Sequence, residues 1–342
     1  MNQAFAVRVS CLVVALLVVS LTTAWRADAA DLYAGERLEK AAGFPAITYF
    51  VKGKEGAPLV VFIPGAHHMA RVAYGGHEGA RNEDFLAHWL NQKGYHFLAI
   101  SYPIDVARGG METSHPDFMI RDWGAQAAAL ARKAIDENGL GNRVIVLGWS
   151  MAGKIAQSVH EAARKENLEL DFYVSLAATP AVPGMIALTR EYPMLESGYA
   201  DRRKNYEGWW KQIAANNAQH GREIVSKDIF MNEYQGDIPI NLQGYGQQFR
   251  DGAFVMIPLA VQADAKPFAF EDFPLVAMVI PNGRGDRRHA LVDRAVWSTY
   301  NANTVYKRYL SANKVSVNNL SDAQWHRLLN LVRTIDDRLS RT

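Results

Sequence analysis

Between residues 59 and 176 the chain alternates short, unbroken apolar runs with segments of helical spacing. That rhythm leaves it few folds to adopt. Leu59-Val60-Val61-Phe62-Ile63 contains no polar residue. His96-Phe97-Leu98-Ala99-Ile100-Ser101, Val144-Ile145-Val146-Leu147 and Asp171-Phe172-Tyr173-Val174-Ser175-Leu176 follow. A strand with one wet face alternates apolar and polar residues, whereas a strand that is apolar throughout has both faces covered. Helical stretches separate these runs. Asn82 to Lys93 carries the stripe Phe85, Leu86, Trp89 and Leu90 and is closed by Gly94. A second begins near Asp122, runs to about Glu137 and stops at Asn138-Gly139, and a third covers Lys154 to Lys165. Strand–helix alternation of this kind predicts an α/β fold: a mostly parallel central sheet with helices on both faces. A further strand is expected at Ala46–Val51, before the turn Gly53-Lys54-Glu55-Gly56. Residues 31–45 read as a lead-in, helical from Ala34 to Ala42.

The rhythm stops after Pro180. Residues 183–272 are rich in aromatic side chains (Tyr192, Tyr199, Tyr206, Trp209, Trp210, Phe230, Tyr234, Tyr245, Phe249) and broken by Pro and Gly, with no clean strand alternation. They are expected to form a partly helical cap or lid inserted into a core made of residues 30–182 and 273–342. The alternation resumes at Leu275–Ile280, followed by the loop Pro281-Asn282-Gly283-Arg284-Gly285-Asp286. A helix is expected over 289–299, a last strand over Lys314–Val317, and a final helix from Ser321 to Leu339, with Ser321 and Gln324 spaced as a capping box.

Residues 1–29 read as a signal peptide. Arg8 precedes the apolar run Cys11–Val19, and Ala27-Asp28-Ala29 supplies small residues for cleavage. The run is short for a membrane-spanning helix. The expectation is an exported protein, periplasmic or secreted, with no stable membrane insertion once the leader is cut. The single cysteine, Cys11, falls inside that leader. The mature chain would then hold no disulfide, cysteine nucleophile or thiolate metal site, and its stability would rest on the core. A net charge of +2 on 342 residues gives no reason to expect nucleic acid as a partner.

The chemistry concentrates at Gly148-Trp149-Ser150-Met151-Ala152-Gly153, between the strand at 144–147 and its helix. This spacing sets a serine on a sharp strand-to-helix turn. Its hydroxyl stands above the sheet, and the helix N-terminus aims its dipole and free N–H groups at whatever the serine attacks. A serine hydroxyl needs a base, and imidazole titrates in the right range. A second turn, Pro64-Gly65-Ala66-His67-His68, ends the first buried strand and frees backbone N–H groups at the same sheet edge, where such groups hold an oxyanion. His67 and His68 either contact substrate or shape the loop. Being adjacent, with no other ligand cluster nearby, they do not suggest a metal site.

The pattern as a whole resembles the α/β-hydrolase fold. The likeness covers roughly 46–180 and 273–340 and rests on the 148–153 turn, the Pro64-Gly65 turn and the order serine, acid, histidine along the chain. The resemblance implies a Ser-His-Asp triad of Ser150, Asp286 after the late strand, and His326 after the last strand. It implies oxyanion donors at the N–H of Met151 and of Ala66. His289 is the alternative base. It lies only three residues from Asp286, and two partners leaving one loop have difficulty standing one behind the other, so topology favours His326. His67, Trp149 and the Trp209-Trp210 pair are candidate substrate contacts, although the tryptophans equally suit packing of the cap. The implied activity is hydrolysis of a carboxylic ester, in a small or lipid-like molecule, through an acyl-enzyme and without a cofactor. An amidase or thioesterase would use the same residues, and a non-catalytic binding protein could keep the same fold.

Overall fold

The structure is a computed structural model. It describes residues 32–313 except 186, 282, 284 and 285, together with 321 and 323. The leader, the strand expected at 314–317, the final helix and His326 lie outside the described residues.

Seven strands form one sheet in the order β1-β2-β4-β3-β5-β6-β9. They are β1 (Glu36–Ala41), β2 (Phe44–Val51), β3 (Leu59–Ile63), β4 (His96–Ser101), β5 (Arg143–Trp149), β6 (Glu169–Leu176) and β9 (Val276–Val279). β4, β3, β5, β6 and β9 pair in parallel, while β1 and β2 close one edge antiparallel. The unbroken apolar runs fill both faces. Leu59, Val61 and Ile63 of β3, with Val144 and Val146 of β5, join the core that holds Trp123, Ile155 and Trp297. Val60, Phe62, Ile145 and Leu147 point the other way, towards Ala70, Tyr74 and Ala87. Helix α1 (Leu86–Gln92) covers this second face. Helices α2 (Ile120–Asn138) and α3 (Ala156–Lys165) pack together over the first. α2 ends at Gly139 with φ 63°, and Asp122 accepts from the N–H of Met119 at its start.

The lead-in differs from the helix expected at 34–42. Residues Glu36–Ala41 form edge strand β1, turned into β2 by Ala42-Gly43, both at positive φ (51° and 87°). That handedness suits a tight hairpin, and pairing with β2 overrides the helical tendency of Glu-Arg-Leu-Glu-Lys.

The stretch between β6 and β9 contains α4 (Tyr206–Gln219), the short α5 (Lys227–Ile229), the hairpin β7 (Gln247–Arg250)–β8 (Ala253–Met256) and α6 (Ala260–Ala265). It lies against the C-terminal edge of the sheet. The N–H of Met69 donates to Tyr234 O (2.7 Å), that of Gly236 to His67 O (3.1 Å), and those of Asp105 and Asp237 to each other's carbonyls. The chain then returns through β9 and a π-helical turn, His289–Asp293, into α7 (Arg294–Asn313).

Candidate active site

Ser150 opens a 3-10 turn (Ser150–Ile155) at the end of β5, with φ +52°. A left-handed backbone at a non-glycine residue costs about 1–2 kcal/mol. The surroundings hold it there. The N–H of Thr179, just past β6, donates to Ser150 O (2.9 Å). The turn is close enough to Thr179 that a Cβ on Gly153 would lie 2.5 Å from Thr179 O, so glycine is required there. Gly65 is under the same constraint: a Cβ would sit 2.9 Å from Ser150 Cβ and 3.2 Å from the Trp149 ring. The turn after β3 is thereby pressed against the serine.

Two N–H groups are candidates to hold an oxyanion. That of Met151 lies in the first turn of the helical segment, where helices cannot satisfy their own donors. That of Ala66 meets no acceptor among the described residues. The turn carrying Ala66 is fixed from below, since Tyr102 Oη donates to Gly65 O (2.7 Å).

Both histidines of this turn are buried. His67 Nδ1 faces Gly236 O (2.8 Å), and a carbonyl only accepts, so Nδ1 carries the proton. Its Nε2 accepts from the Gln243 amide (3.3 Å), whose Oε1 in turn accepts from Arg202 (2.6 Å). Burial, then the Arg202 charge, holds the His67 pKa well below the usual imidazole range, and burial lowers that of His68 to about 4. Both rings are neutral at pH 7. Trp209 stacks on His67 (centroids 5.4 Å) and meets His68 edge-on (5.3 Å); Trp149 also packs on His68 (5.0 Å). Trp210 turns instead to Phe230 (5.9 Å), in an apolar cluster that also holds Phe85, Val225 and Tyr234.

Asp286 lies just beyond β9, where its N–H donates to Gly283 O (3.1 Å). Among the described residues its carboxylate has no histidine partner. His289 does have a carboxylate: its Nδ1 lies 2.8 Å from Asp293 Oδ2, which also accepts from Thr179 Oγ1 (3.0 Å). Asp293 is 1% exposed, and Arg288 Nε stands 3.6 Å from its other oxygen. Thr179 thus touches Ser150 through its backbone and Asp293 through its side chain. Sequence reasoning missed Asp293, although its i,i+4 spacing from His289 was a usable signal.

It also missed Lys154, four residues past the serine. Lys154 is 4% exposed and donates to Leu242 O (3.3 Å) and to Gln243 O. Burial, then the charges of Arg202 and Arg288, lowers its pKa to about 7 against the opposing pull of Asp293. Of the other histidines, His77 pairs with the Tyr234 hydroxyl and His160 with Asp272. Among the described residues no group of three or more His, Cys, Asp or Glu side chains is arranged to hold a metal, and no helix is long and apolar enough to cross a membrane.

No protein-family model matches the sequence, and a search of curated proteins finds no match. Solved structures similar to the chain include the thioesterase domain from the curacin biosynthetic pathway (12% identity over 81% of this chain and 97% of that one, TM-score 0.37). Others are an epoxide hydrolase from Vigna radiata (20%, 46% and 43%, TM-score 0.30) and N-formylmaleamic acid deformylase from Pseudomonas putida S16 (19%, 54% and 57%, TM-score 0.31). The chain spans about two fifths of the length of the epoxide hydrolases it matches. The fold assignment stands on the molecule's own geometry. A mostly parallel sheet flanked by helices, with a serine at positive φ on the turn after the interior strand β5, is an α/β-hydrolase-like fold.

Proposed function

We propose that the protein is an exported serine hydrolase that cleaves a carboxylic ester through an acyl-enzyme. The observation that carries this reading is Ser150: a left-handed serine at the end of the interior strand β5, with the Gly65 turn packed on its Cβ. Strain of that kind persists only where the surroundings impose it, and it concentrates at functional sites. Ser150 Oγ attacks the carbonyl carbon while a histidine takes its proton. The N–H groups of Met151 and Ala66 receive the oxyanion. The alcohol leaves with the proton, and water repeats the sequence on the acyl-enzyme. Amide and thioester cleavage would run through the same groups. Export rests on the leader read from residues 1–29 and on nothing in the fold.

Chain order assigns the base to His326, oriented by Asp286. A second reading takes His289 with Asp293, and the 2.8 Å bond between them favours it: with Nδ1 engaged by the carboxylate, Nε2 is left to accept a proton. The test is hydrolysis of short- and long-chain p-nitrophenyl esters by the mature protein. Ser150→Ala is expected to lower kcat by at least about a thousandfold. If His326→Ala and Asp286→Asn match that loss while His289→Ala and Asp293→Asn do not, the first triad holds; the reverse pattern selects the second. Folded wild type that neither turns over ester, amide or thioester nor reacts with a fluorophosphonate probe would be a binding protein.

A further inference from the structure

Arg202 is buried (9% exposed) and has no carboxylate within ion-pair distance among the described residues. Its polar contact is to Gln243 Oε1, and its guanidinium lies over the rings of Tyr192 (5.1 Å) and Trp209 (5.8 Å). Its Nε has no hydrogen-bond partner among the described residues. The nearby acids are committed elsewhere: Asp201 to Arg203, Asp237 to the Tyr206 hydroxyl, and Asp293 to Thr179, His289 and Arg288. Lys154 reaches the same Gln243 through its backbone carbonyl, and among the described residues it has no carboxylate in ion-pair contact either. A buried charge normally comes with a partner, because removing it from water unpaired costs several kcal/mol. The Arg202 guanidinium, charged at any physiological pH, is therefore left without an acid partner among the described residues.

These two side chains are linked to the serine turn by direct contacts. Lys154 lies one turn beyond Ser150. The ring of Trp209, under Arg202, packs on His67 and His68, and His68 in turn meets Trp149, the residue before Ser150. We propose that Arg202 and Lys154 form an anion-binding subsite, and that the ester cleaved at Ser150 carries a carboxylate that completes their pairing. The Arg202 fork suits a planar carboxylate, and the free Nε–H is one of the donors it would use. Lys154 Nζ adds a further N–H donor from the side of the serine turn. Tyr192 and Trp209 flank the guanidinium with apolar rings, so the favoured substrate is a half-ester of a short dicarboxylic acid rather than a neutral lipid.

This inference rests on the hydrolase reading, and the test separates the two. The 4-nitrophenyl half-ester of adipic acid and its methyl-capped counterpart differ only in the terminal charge. For wild type, kcat/KM is expected to favour the free acid by roughly tenfold to a hundredfold after correction for uncatalysed hydrolysis. Arg202→Met should bring that ratio to about one, and Arg202→Lys should restore part of it. In parallel, adipate binding to Ser150→Ala is measured by calorimetry, with and without Arg202→Met. Equal kcat/KM for both esters in wild type, or an equal loss on both in folded Arg202→Met, overturns the subsite. If neither ester is turned over but adipate binds and Arg202→Met abolishes binding, the subsite stands and the hydrolase reading falls. Absence of both charge preference and adipate binding overturns the subsite whatever the enzyme hydrolyses.

Discussion

The molecule buries two arginines close to the same turn and treats them in opposite ways. Arg71, fully buried just after the His67-His68 turn, meets Glu36 in a two-point contact (Nε–Oε1 and Nη2–Oε2, both 2.7 Å). It also donates to Gly109 O and Glu233 O and lies over the Tyr33 ring, while Tyr74 donates to the same glutamate. Arg202 has one amide, two aromatic faces and an orphan Nε. A charge that serves the fold comes with its partner in the sequence. For Arg202, the proposed partner is the carboxylate of the substrate.

The largest expected effect breaks this contrast directly. Arg71→Met leaves Glu36 buried and unpaired and should lower unfolding free energy by about 3–5 kcal/mol. Arg202→Met, which strands only neutral partners, should cost about 1 kcal/mol or less; equal losses in urea melts would erase the distinction. Lys154 comes next. Its folded pKa, about 7, lies below the unfolded value of 10.5. The unfolded chain therefore binds the extra proton between these values, and stability should rise with pH from about 7 to 10.5, on the order of 4 kcal/mol in all. Lys154→Met should flatten that limb of the pH–stability curve. His68 works in the same sense on the acid side. With its pKa lowered to about 4, stability should fall as pH drops from 6.5 towards 4, by about 3 kcal/mol, and His68→Gln should remove much of that fall. The smallest effect is at the serine. Ser150→Gly, free of the left-handed penalty, should gain up to about 1 kcal/mol while losing activity. A Gly variant that melts below Ser150→Ala would show that the turn is not strained.

Much of the fold was legible because continuous apolarity has one meaning in an α/β chain. Leu59–Ile63 and His96–Ser101 are strands to the residue. β1 was not legible: a charged, Leu-centred edge strand has the composition of a surface helix, and only its partner β2 tells them apart. The strand–serine–helix turn was readable in the same way, since every part of it is local. The rest of the site is not local. Gln243 and His67 are 176 residues apart, and no periodicity links Arg202 to Lys154. A lone lysine in the otherwise apolar or small run Met151–Ala156 was the one available sign that a charge is buried beside the serine.

Thr179 has a consequence for how such a molecule diversifies. Its amide fastens the serine turn and its hydroxyl fastens Asp293, and both contacts lie within the core. Immediately afterwards, at Pro180, the chain departs on its excursion over the site and returns only at β9. The fastening therefore stands at the gate of the excursion rather than within it. Loops and helices beyond that gate can be lengthened, exchanged or re-charged over generations, altering what is recognised, while the placement of the reacting serine is inherited unchanged.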